Sequence, residues 1–276
     1  MYAAPPVIQT EVFSTLPKEL HNTEKYSPWV AERRAGKLHS FLEGPSFDRE
    51  GNLYCTDIPY GRIFKITPDG KWTVFAEFDG EPNGLRVHKD GKRLFVAVGS
   101  ASNFDDPDTH PSEKNRANVL EYTPEGKFVK VYAAGIRNPA GMNLNPTTGE
   151  VWVSVNERDE LGDNLVPDYI TSVKEGGFYG WPWYYIGGNP EPRLNGAHPE
   201  MKDKVIVPDV LIQPHSASLA FTFYDGKMFP AEYQGDLFAA EHGSWNRAVK
   251  SGHEVVRVPL EKGKASGVYQ DFLTGF

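Results

Sequence analysis

The sequence predicts an all-β protein, and within that class a β-propeller of four to six blades. Three observations lead to this prediction: short β-type runs recur along the chain, glycine-centred turns separate them, and a longer unit of strand, turn and strand repeats. Glycine (27 residues) and proline (22 residues) are frequent in the 276-residue chain, and aromatic residues make up 13% of it. This composition is typical of many short strands joined by tight turns.

The β-type runs are rich in Val, Ile, Phe, Tyr or Trp, which β-strands favour. The predicted strands are Leu53–Ile58, Arg62–Ile66, Trp72–Phe75, Leu94–Val98, Asn118–Tyr122, Phe128–Tyr132, Val151–Val155, Asp236–Ala240 and Glu254–Val258. Turn signals ending in glycine lie between them, at Gly51, Gly70, Gly91, Gly126 and Gly149. A helix-like pattern occurs only in two short segments, Pro17–Asn22 and Trp29–Ala35.

The repeating unit consists of small residues, a short strand, a Gly turn and an aromatic strand. Its copies begin at Glu43, Asn83 and Asn138, with a looser copy from Ser216. Such units, with a period of roughly 40–50 residues, are typical of propeller blades. Two polar, Pro-rich stretches, Ala101–Arg116 and Glu157–Pro214, are interpreted as insertions that lengthen the later repeats. The prediction is therefore a single propeller domain over residues 1–276.

Charge and cysteine content exclude several classes of partner and site. Lys plus Arg number 29 and Asp plus Glu number 37, so the net charge is -8. Nucleic acids and anionic membranes attract basic surfaces, so neither is expected as a partner. Cys55 is the one cysteine in the sequence, which excludes an internal disulfide and a Cys-rich zinc site. The stretch from Met1 to Val12 lacks a signal-peptide pattern, and we expect a cytoplasmic location.

The starts of the inner strands supply the first candidate site residues, because these starts meet at one mouth of a propeller channel. Glu43 and Asn83 each lie eight residues before their turn Gly, so we expect equivalent positions in neighbouring blades. A carboxylate and an amide oxygen converging there suit Ca²⁺ or Mg²⁺. Arg137 and Asn138 enter from the third unit and His215 from the fourth. The alternative is that the Asn-Gly and Glu-Gly-Pro sequences are simply turn chemistry.

A loop motif near the end of the chain, His242-Gly-Ser-Trp-Asn-Arg247, clusters a His, an Asn and an Arg after a β-type run. Arg247 is suited to clamp an anionic group through two hydrogen bonds. The alternative is an Arg247 side chain stacked on Trp245 at a blade edge.

A second loop motif, Asn156-Glu-Arg-Asp-Glu-Leu-Gly-Asp163, is acidic and is followed by Asp168. Asn156 and Asp159 are its candidate cation ligands. The alternative is a solvated charged surface, which is what most charge runs form. The sequence contains no Gly-x-Ser-x-Gly, P-loop, Rossmann or His-Glu-x-x-His motif.

Residues 37–93 resemble the SMP-30/gluconolactonase family of propellers. The matching stretches are Phe41-Leu-Glu-Gly-Pro-Ser-Phe-Asp48, Tyr54-Cys-Thr-Asp-Ile-Pro-Tyr-Gly-Arg-Ile-Phe64 and Pro82-Asn-Gly-Leu85. The resemblance implies hydrolysis of a sugar lactone with one divalent cation, Ca²⁺ or Zn²⁺, and makes Glu43 and Asn83 its first two protein ligands. The family's later Asn and Asp ligands have no counterpart after residue 93.

Residues 94–276 resemble the soluble quinoprotein glucose/sorbosone dehydrogenases. The matching stretches are Val96–Asn103, Gly135–Gly141, Asn156–Asp163, Gly177–Pro182, Phe229–Tyr233 and His242–Arg247. The resemblance implies oxidation of a sugar or sugar aldehyde with pyrroloquinoline quinone (PQQ). It also implies that Arg137 and Asn138 contact the quinone, that Arg247 faces its carboxylates, and that the Asn156–Asp163 loop lies near a Ca²⁺. His215 is counted with the residues that bind the cofactor.

The chain departs from the second family at its catalytic base. The family has a His just upstream of the strand that corresponds to Leu94–Val98, where this chain has Pro82-Asn-Gly-Leu85. His88 is not assigned this role, so no catalytic residue is predicted. The two resemblances together indicate a join, or chimera, near Lys92–Phe95.

Three functions follow from these resemblances. The first is PQQ-dependent oxidation of a sugar or sugar aldehyde, because more of the chain resembles the dehydrogenases. The alternatives are a lactone hydrolase that uses a divalent metal, and an incomplete propeller that binds a cation or sugar without turnover. The expected partner is a small-molecule sugar or lactone in each case.

Overall fold

The computed structural model describes residues 12–22, 24–27, 30–31, 36–77 and 82–275. Strands dominate these residues, and none of their helical segments is long and apolar enough to cross a membrane. The strands are β1 Leu42–Phe47, β2 Leu53–Asp57, β3 Arg62–Ile66, β4 Trp72–Glu77, β5 Pro82–Val87, β6 Leu94–Val98, β7 Asn118–Tyr122, β8 Phe128–Ala134, β9 Pro139–Leu144, β10 Val151–Val155, β11 Tyr169–Ser172, β12 Tyr184–Tyr185, β13 Asn189–Pro190, β14 Val210–Leu211, β15 Ser218–Phe223, β16 Leu237–Glu241, β17 Glu254–Val258, β18 Leu260–Glu261, β19 Lys264–Ala265 and β20 Gln270–Leu273.

Four antiparallel sheets of four strands each form the blades. In order from the inner strand, blade 1 is β1-β2-β3-β4, blade 2 is β5-β6-β7-β8, blade 3 is β9-β10-β11-β14 and blade 4 is β15-β16-β17-β20. The first strands contact one another in the order β1, β5, β9, β15, so they are the innermost strands. The all-β propeller prediction is confirmed, with four blades in the described part of the chain.

The second strand of a blade is buried on both faces, which explains its continuous apolar sequence. In β6, Leu94, Val96 and Val98 belong to the core between blades 1 and 2. Phe95 and Ala97 point the other way, into the core between blades 2 and 3. Since neighbouring side chains of a strand face opposite sides, each β-type run joins two cores.

The strands with strong β-type composition have the predicted bounds or nearly so, whereas three outer strands were missed. β11, β14 and β20 are short, and β11 and β14 lie inside Glu157–Pro214. The prediction that this whole stretch is an insertion is therefore wrong, because it supplies the third and fourth strands of blade 3. Sequence alone did not reveal two- to four-residue strands between polar loops.

The helix-like patterns have different outcomes. Pro17–Asn22 contains one 3-10 turn, Lys18–Leu20, and no longer helix. Most of Trp29–Ala35 lies outside the described residues. The predicted join near Lys92–Phe95 falls at the end of the hairpin turn between β5 and β6, inside blade 2. A join at this place would put residues from both segments, 37–93 and 94–276, into the sheet of blade 2.

Trp152 tests the packing between blades 3 and 4. Its side chain is 1% exposed and meets the Phe223 ring edge-on, with centroids 6.0 Å apart. Trp152→Ala should lower the free energy of unfolding by about 3–5 kcal/mol, because it leaves a cavity between the sheets. Trp245→Ala is the matched control, since Trp245 is 76% exposed and should change stability by less than about 0.5 kcal/mol. Equal losses in urea unfolding, followed by circular dichroism, would contradict this account of the core.

Candidate functional site

The inner strands of all four blades surround a cavity of about 860 Å³, which we call the channel. This volume lies within the range of roughly 300–1,000 Å³ that small-molecule sites occupy. Its polar and charged lining side chains are Glu43, Asn83, Arg86, Ser100, Arg137, Asn138 and Asn156. The channel therefore brings five of the predicted site residues together: Glu43, Asn83, Arg137, Asn138 and Asn156.

Glu43 and Asn83 occupy equivalent positions in neighbouring blades, as their spacing predicts. Each is the second residue of a six-residue inner strand, β1 or β5. The two strands pack closely where Gly44 follows Glu43. A Cβ on Gly44 would lie only 2.8 Å from the Cα of Gly84, so a larger residue would separate the two blades there. Both side chains line the channel.

Three asparagine amides form a hydrogen-bonded chain, which we call the amide chain, across blades 2, 3 and 4. Nδ2 of Asn83 donates to Oδ1 of Asn138 over 2.6 Å, and Nδ2 of Asn138 donates to Oδ1 of Asn156 over 3.5 Å. Nδ2 of Asn156 then donates to the carbonyl oxygen of Ser218 over 2.7 Å. Because each amide is held by the next, the chain fixes the orientation of these side chains in the channel.

Gly99 lies directly against the amide chain. A Cβ at this position would lie 2.4 Å from Oδ1 of Asn138 and 2.9 Å from Nδ2 of Asn83. The sequence motif that contains Gly99 was recognised only through its resemblance to the dehydrogenases. The structure supplies the physical reason for the glycine, which is the close approach of two side chains.

Two guanidinium groups line the channel without an ion-pair partner among the described residues. Nη2 of Arg137 donates to Oδ1 of Asn103 over 3.0 Å, whereas its Nε is buried and has no hydrogen-bond partner. Arg86 donates from Nη1 to the carbonyl oxygen of Leu85 over 2.8 Å. Burial lowers the pKa of both side chains, yet a guanidinium stays charged at neutral pH. Carboxylates of Glu157, Asp159, Asp168 and Glu113 act on Arg137 only at longer range, so both guanidinium groups keep donors that suit an anionic ligand.

Glu43 is the one carboxylate among the residues that line the channel. Within the described part of the chain, its side chain makes no hydrogen bond or ion pair. Its backbone carbonyl oxygen accepts a hydrogen bond from Oγ1 of Thr56 over 3.0 Å, which anchors the residue in the blade. Partial desolvation by the channel walls raises the pKa of the carboxyl group above its usual value, although the residue as a whole is exposed. Glu43 is thus held by its backbone while its carboxylate is open to the channel.

Asp159 and His215 lie in a second cavity of about 340 Å³, which we call the side pocket. Nδ1 of His215 is 3.3 Å from Oδ1 of Asp159, and Nδ2 of Asn246 donates to the same oxygen over 2.6 Å. The metal candidates are therefore divided, because Asp159 does not share a cavity with Glu43. Asn103 connects the channel and the side pocket, because its Oδ1 accepts hydrogen bonds from Arg137 of the channel and from the backbone N–H of Asp159 in the side pocket.

Arg247 lines neither the channel nor the side pocket. Its Nη1 donates to the carbonyl oxygens of Asp163 over 2.6 Å and Pro214 over 3.3 Å. No contact between its guanidinium and the Trp245 ring is found in the described residues, so stacking does not explain its position. Arg247 instead ties its own loop to the loops before blade 4.

Three buried carboxyl groups lie near these sites: Glu157 and Asp168 belong to the acidic loop motif of the sequence, whereas Glu241 was not singled out there. Burial raises the pKa of Glu157 to about 7, of Asp168 to about 6 and of Glu241 to about 8. Asp168 accepts backbone hydrogen bonds from Glu157 over 2.8 Å and from Ala217 over 2.7 Å, so it joins blades 3 and 4. Oε1 of Glu241 accepts from Oγ of Ser218 over 2.9 Å, whereas its Oε2 is buried without a partner. No sequence signal distinguished these carboxyl groups from exposed ones.

A further group with metal-ligand geometry joins the two long loops. Ligand atoms of Asp106, Asp108 and His198 lie within 4.8 Å of one another. The His198 ring already has partners at both nitrogens, at 3.1 Å from an Asp108 oxygen and 3.0 Å from a Glu200 oxygen. It also stacks on Trp183 at a centroid distance of 3.8 Å. Ion pairing and stacking are enough to explain this cluster.

The fold and the channel define a β-propeller whose central cavity presents cationic donors and one open carboxylate. The chain matches the glucose/sorbosone dehydrogenase family over residues 78–266, which is more than half of its length. The chain therefore belongs to the glucose/sorbosone dehydrogenase family. The match begins before β5, so it includes both strands of the hairpin where the sequence indicates a join.

The curated relatives match stretches of different length in this chain. An uncharacterized protein of Borreliella burgdorferi is 33% identical over 197 residues, which are 70% of this chain and 50% of the relative. Lactonase drp35 of Staphylococcus aureus (strain USA300) is 35% identical over 96 residues, which are 34% of this chain and 26% of the lactonase. The chain thus spans half the length of the first relative and about a quarter of the second.

Solved structures show the same fold at low identity. A calcium structure of a Trichoderma reesei carbohydrate-active enzyme of family AA12 is 16% identical, covers 87% of this chain and 72% of that chain, and gives a TM-score of 0.71. The holo form of the pyranose dehydrogenase PQQ domain from Coprinopsis cinerea is 17% identical, covers 85% of this chain and 82% of that chain, and gives 0.62. These similarities support the propeller fold.

Substitution of Gly99 tests the amide chain. In Gly99→Ala the new methyl group must displace the Asn138 amide, which removes its bond from Asn83. We expect a loss of about 0.5–1.5 kcal/mol in the free energy of unfolding, the net value of one hydrogen bond. Gly84→Ala is the control, because a Cβ there meets no atom within 4 Å. Urea unfolding that gives the two variants the same stability would refute the close contact.

Glu241 should make the protein less stable as the pH rises. The folded pKa of about 8 lies above the ordinary value of 4.5, so folding favours the protonated form. Its contribution is complete below the ordinary pKa and is lost as the pH rises through about 8. Glu241→Gln should therefore raise the Tm relative to the wild type at pH 9 more than at pH 5. Calorimetry at the two pH values measures this difference. Glu125→Gln, at an exposed turn, should leave the pH dependence unchanged.

Proposed function

We propose that the protein oxidises a sugar or sugar aldehyde in the channel, with PQQ as the cofactor. The observation that carries this proposal is the pair of channel guanidinium groups, Arg86 and Arg137, neither of which forms an ion pair within the described residues. PQQ is an anionic quinone with three carboxylates, so it matches this charge pattern. Membership of the glucose/sorbosone dehydrogenase family supports the same conclusion.

The residues of the channel fit an anionic cofactor. Arg137 has a buried Nε without a partner, and long contacts of 3.4 and 3.5 Å from its Nη1 to the carbonyl oxygens of Glu157 and Asn156. A bound carboxylate would satisfy these donors better than the carbonyl oxygens do. Arg137 and Arg86 would hold the cofactor's carboxylates, and Asn138 would fix its position beside the amide chain. When bound, PQQ would supply the acceptor for the electrons of the sugar.

A Ca²⁺ near the Asn156–Asp163 loop is the second part of the proposal. Asp159, Glu160 and Asp163 of this loop line the side pocket, and carboxylate oxygens are the ligands that Ca²⁺ prefers. Asn103 connects this pocket to Arg137 through one hydrogen bond. A cation there would stabilise the acidic loop that borders the channel.

A cytoplasmic location stays a prediction of the sequence.

Binding of PQQ to Arg137 is measurable without turnover. PQQ should raise the Tm of the wild type, because a ligand that binds only the folded state stabilises it by mass action. Arg137→Gln should weaken binding by roughly 10- to 100-fold, since a hydrogen bond to a charged group contributes about 1.5–3 kcal/mol. Arg93→Gln is the matched control, because Arg93 pairs with Asp90 outside the channel.

The result decides between the dehydrogenase and a propeller without turnover. Reduction of a dye by sugar, dependent on added PQQ, is the expected companion of the Tm rise. A wild type that shows neither the rise nor the dye reduction, with or without Ca²⁺, would refute the proposal. A Tm rise with Ca²⁺ but no further rise on adding PQQ would favour a propeller that binds the cation without oxidising sugar, or a lactone hydrolase.

A second candidate function is the hydrolysis of a sugar lactone with a divalent cation. The open carboxylate of Glu43 and the neighbouring amide oxygen of Asn83 favour it, because both face one cavity. The similarity to lactonase drp35 points the same way. The remaining predicted ligands do not complete this set, since Asp159 lies in the side pocket and Asn156 is bonded within the amide chain. Acid release from a lactone that EDTA abolishes would support this function over the first.

A further inference from the structure

We propose that Asn103 is a positioning residue for the channel. Its neutral amide oxygen orients the guanidinium of Arg137 and leaves the positive charge of that group available for an anionic ligand. This inference rests on the proposed function, because the anionic groups it concerns are the carboxylates of the proposed cofactor. Asn103 does not itself line the channel, so it acts on a ligand there only through Arg137.

The hydrogen bond to Asn103 is the shortest one that the guanidinium of Arg137 makes within the described residues. Nη2 of Arg137 donates to Oδ1 of Asn103 over 3.0 Å. The contacts from Nη1 to the carbonyl oxygens of Asn156 and Glu157 are longer, at 3.5 and 3.4 Å, and the buried Nε has no partner. A guanidinium is a rigid, planar fork. The bond at Nη2 therefore limits the directions in which Nε and Nη1 can donate to a ligand.

Asn103 is held in place by bonds that do not involve a ligand. Its carbonyl oxygen accepts a hydrogen bond from Nε1 of Trp181 over 2.8 Å, and the backbone N–H of Trp181 donates to the carbonyl oxygen of Gly135 over 3.1 Å. The backbone N–H of Ser100 donates to the carbonyl oxygen of Arg137 over 2.8 Å. The segment that carries Asn103 is thus tied to the segment that carries Arg137 through both backbone and side chains, so the acceptor is positioned before a ligand binds.

The carboxylates around Arg137 have other hydrogen-bond donors, which leaves the amide of Asn103 as the near acceptor. Four carboxylates act on Arg137 at longer range, those of Glu157, Asp159, Asp168 and Glu113. Their donors are the backbone N–H of Arg158 for Glu157 (3.1 Å), Nδ2 of Asn246 for Asp159 (2.6 Å), the backbone N–H of Ala217 for Asp168 (2.7 Å) and the backbone N–H of Ala101 for Glu113 (3.0 Å). The guanidinium is therefore oriented by a group that carries no charge.

The neutral acceptor has a consequence for ligand charge. An amide oxygen accepts the hydrogen bond of Arg137 without forming an ion pair, whereas a carboxylate in its place would pair with the guanidinium and compete with an anionic ligand. Nδ2 of Asn103 donates no hydrogen bond within the described part of the chain. Asn103→Asp would thus keep the acceptor oxygen and the size of the side chain, and would change the charge beside Arg137.

The first test separates positioning from a structural role by the sign of two effects. In the full chain with Ca²⁺ present, calorimetric titration should show that Asn103→Asp binds PQQ roughly 10- to 100-fold more weakly than the wild type, because a charge-assisted bond to the ligand is lost. The Tm of the ligand-free variant should not fall, because the bonds to Oδ1 remain. Asn195→Asp is the matched control, since Asn195 is exposed and lines neither cavity, and it should keep the wild-type affinity.

The second test is a double-mutant cycle, which isolates the action of Asn103 through Arg137. Asn103→Leu removes the acceptor at similar size and should weaken PQQ binding by about 10-fold in the wild-type background. In Arg137→Gln it should cause no further loss, because the group that Asn103 orients is absent. An equal loss in both backgrounds would overturn the proposal, since Asn103 would then act without Arg137. Wild-type affinity in Asn103→Asp, or a loss that a fall in its ligand-free Tm accompanies, would also overturn it.

The third test needs no cofactor, so it separates the failure of this inference from the failure of the proposed function. The ¹⁵N guanidinium signals of Arg137, assigned by their loss in Arg137→Gln, should show hindered rotation in the ligand-free wild type and in Asn103→Asp. They should show free rotation in Asn103→Leu. The same rotation in the wild type and Asn103→Leu would overturn the positioning role even if PQQ binds. A wild type that binds no PQQ would overturn the proposed function, and with it the role of Asn103 toward the cofactor, whereas hindered rotation would still show that Asn103 orients Arg137.

Discussion

Two-sided packing of the blades is the constraint on which the rest of the structure depends. Each central strand must bury both faces, so β6 and β10 each carry apolar side chains toward two different cores. This packing fixes the distance between successive inner strands. The close approach of Gly44 to Gly84 shows how little space remains between β1 and β5. The channel is therefore a consequence of blade packing, and its lining is set by the first residues of each inner strand.

The polar groups of the channel differ in how far hydrogen bonds offset the free energy cost of burying them. An unpaired charge away from water destabilises a protein unless a partner or a ligand compensates it. The amide chain satisfies its own members, whereas Arg137 keeps a buried Nε without a hydrogen-bond partner. Glu241 also carries an unsatisfied group, because its Oε2 is buried without a hydrogen-bond partner and its pKa is raised. An unsatisfied polar group that lines a cavity, such as Arg137, is available to contact a ligand. An unsatisfied group packed between strands, such as Glu241, only lowers the stability of the protein when it ionises.

The sequence predicted the fold through features that are local. Strands such as Val151–Val155 and the Gly turns are encoded within a few residues, and the repeat then indicates blades. Equivalent positions of Glu43 and Asn83 followed from counting residues to the turn. The separation of the candidate cation ligands into two cavities could not be predicted in this way. Counting residues does not show that the loop carrying Asp159 turns away from the channel and into the side pocket. Burial of Glu241 was also hidden, since its position at the end of a strand gives no sign of its neighbours.

The position of Glu43 bears on how one fold supports different chemistry. Every inner strand offers the channel the same second position, filled here by Glu43, Asn83, Ala140 and Leu219. A reacting group can therefore move from one blade to the next without any change in the backbone, because the strands are equivalent frames around one cavity. The chemistry of such a channel is set by the whole ring of second positions rather than by one blade.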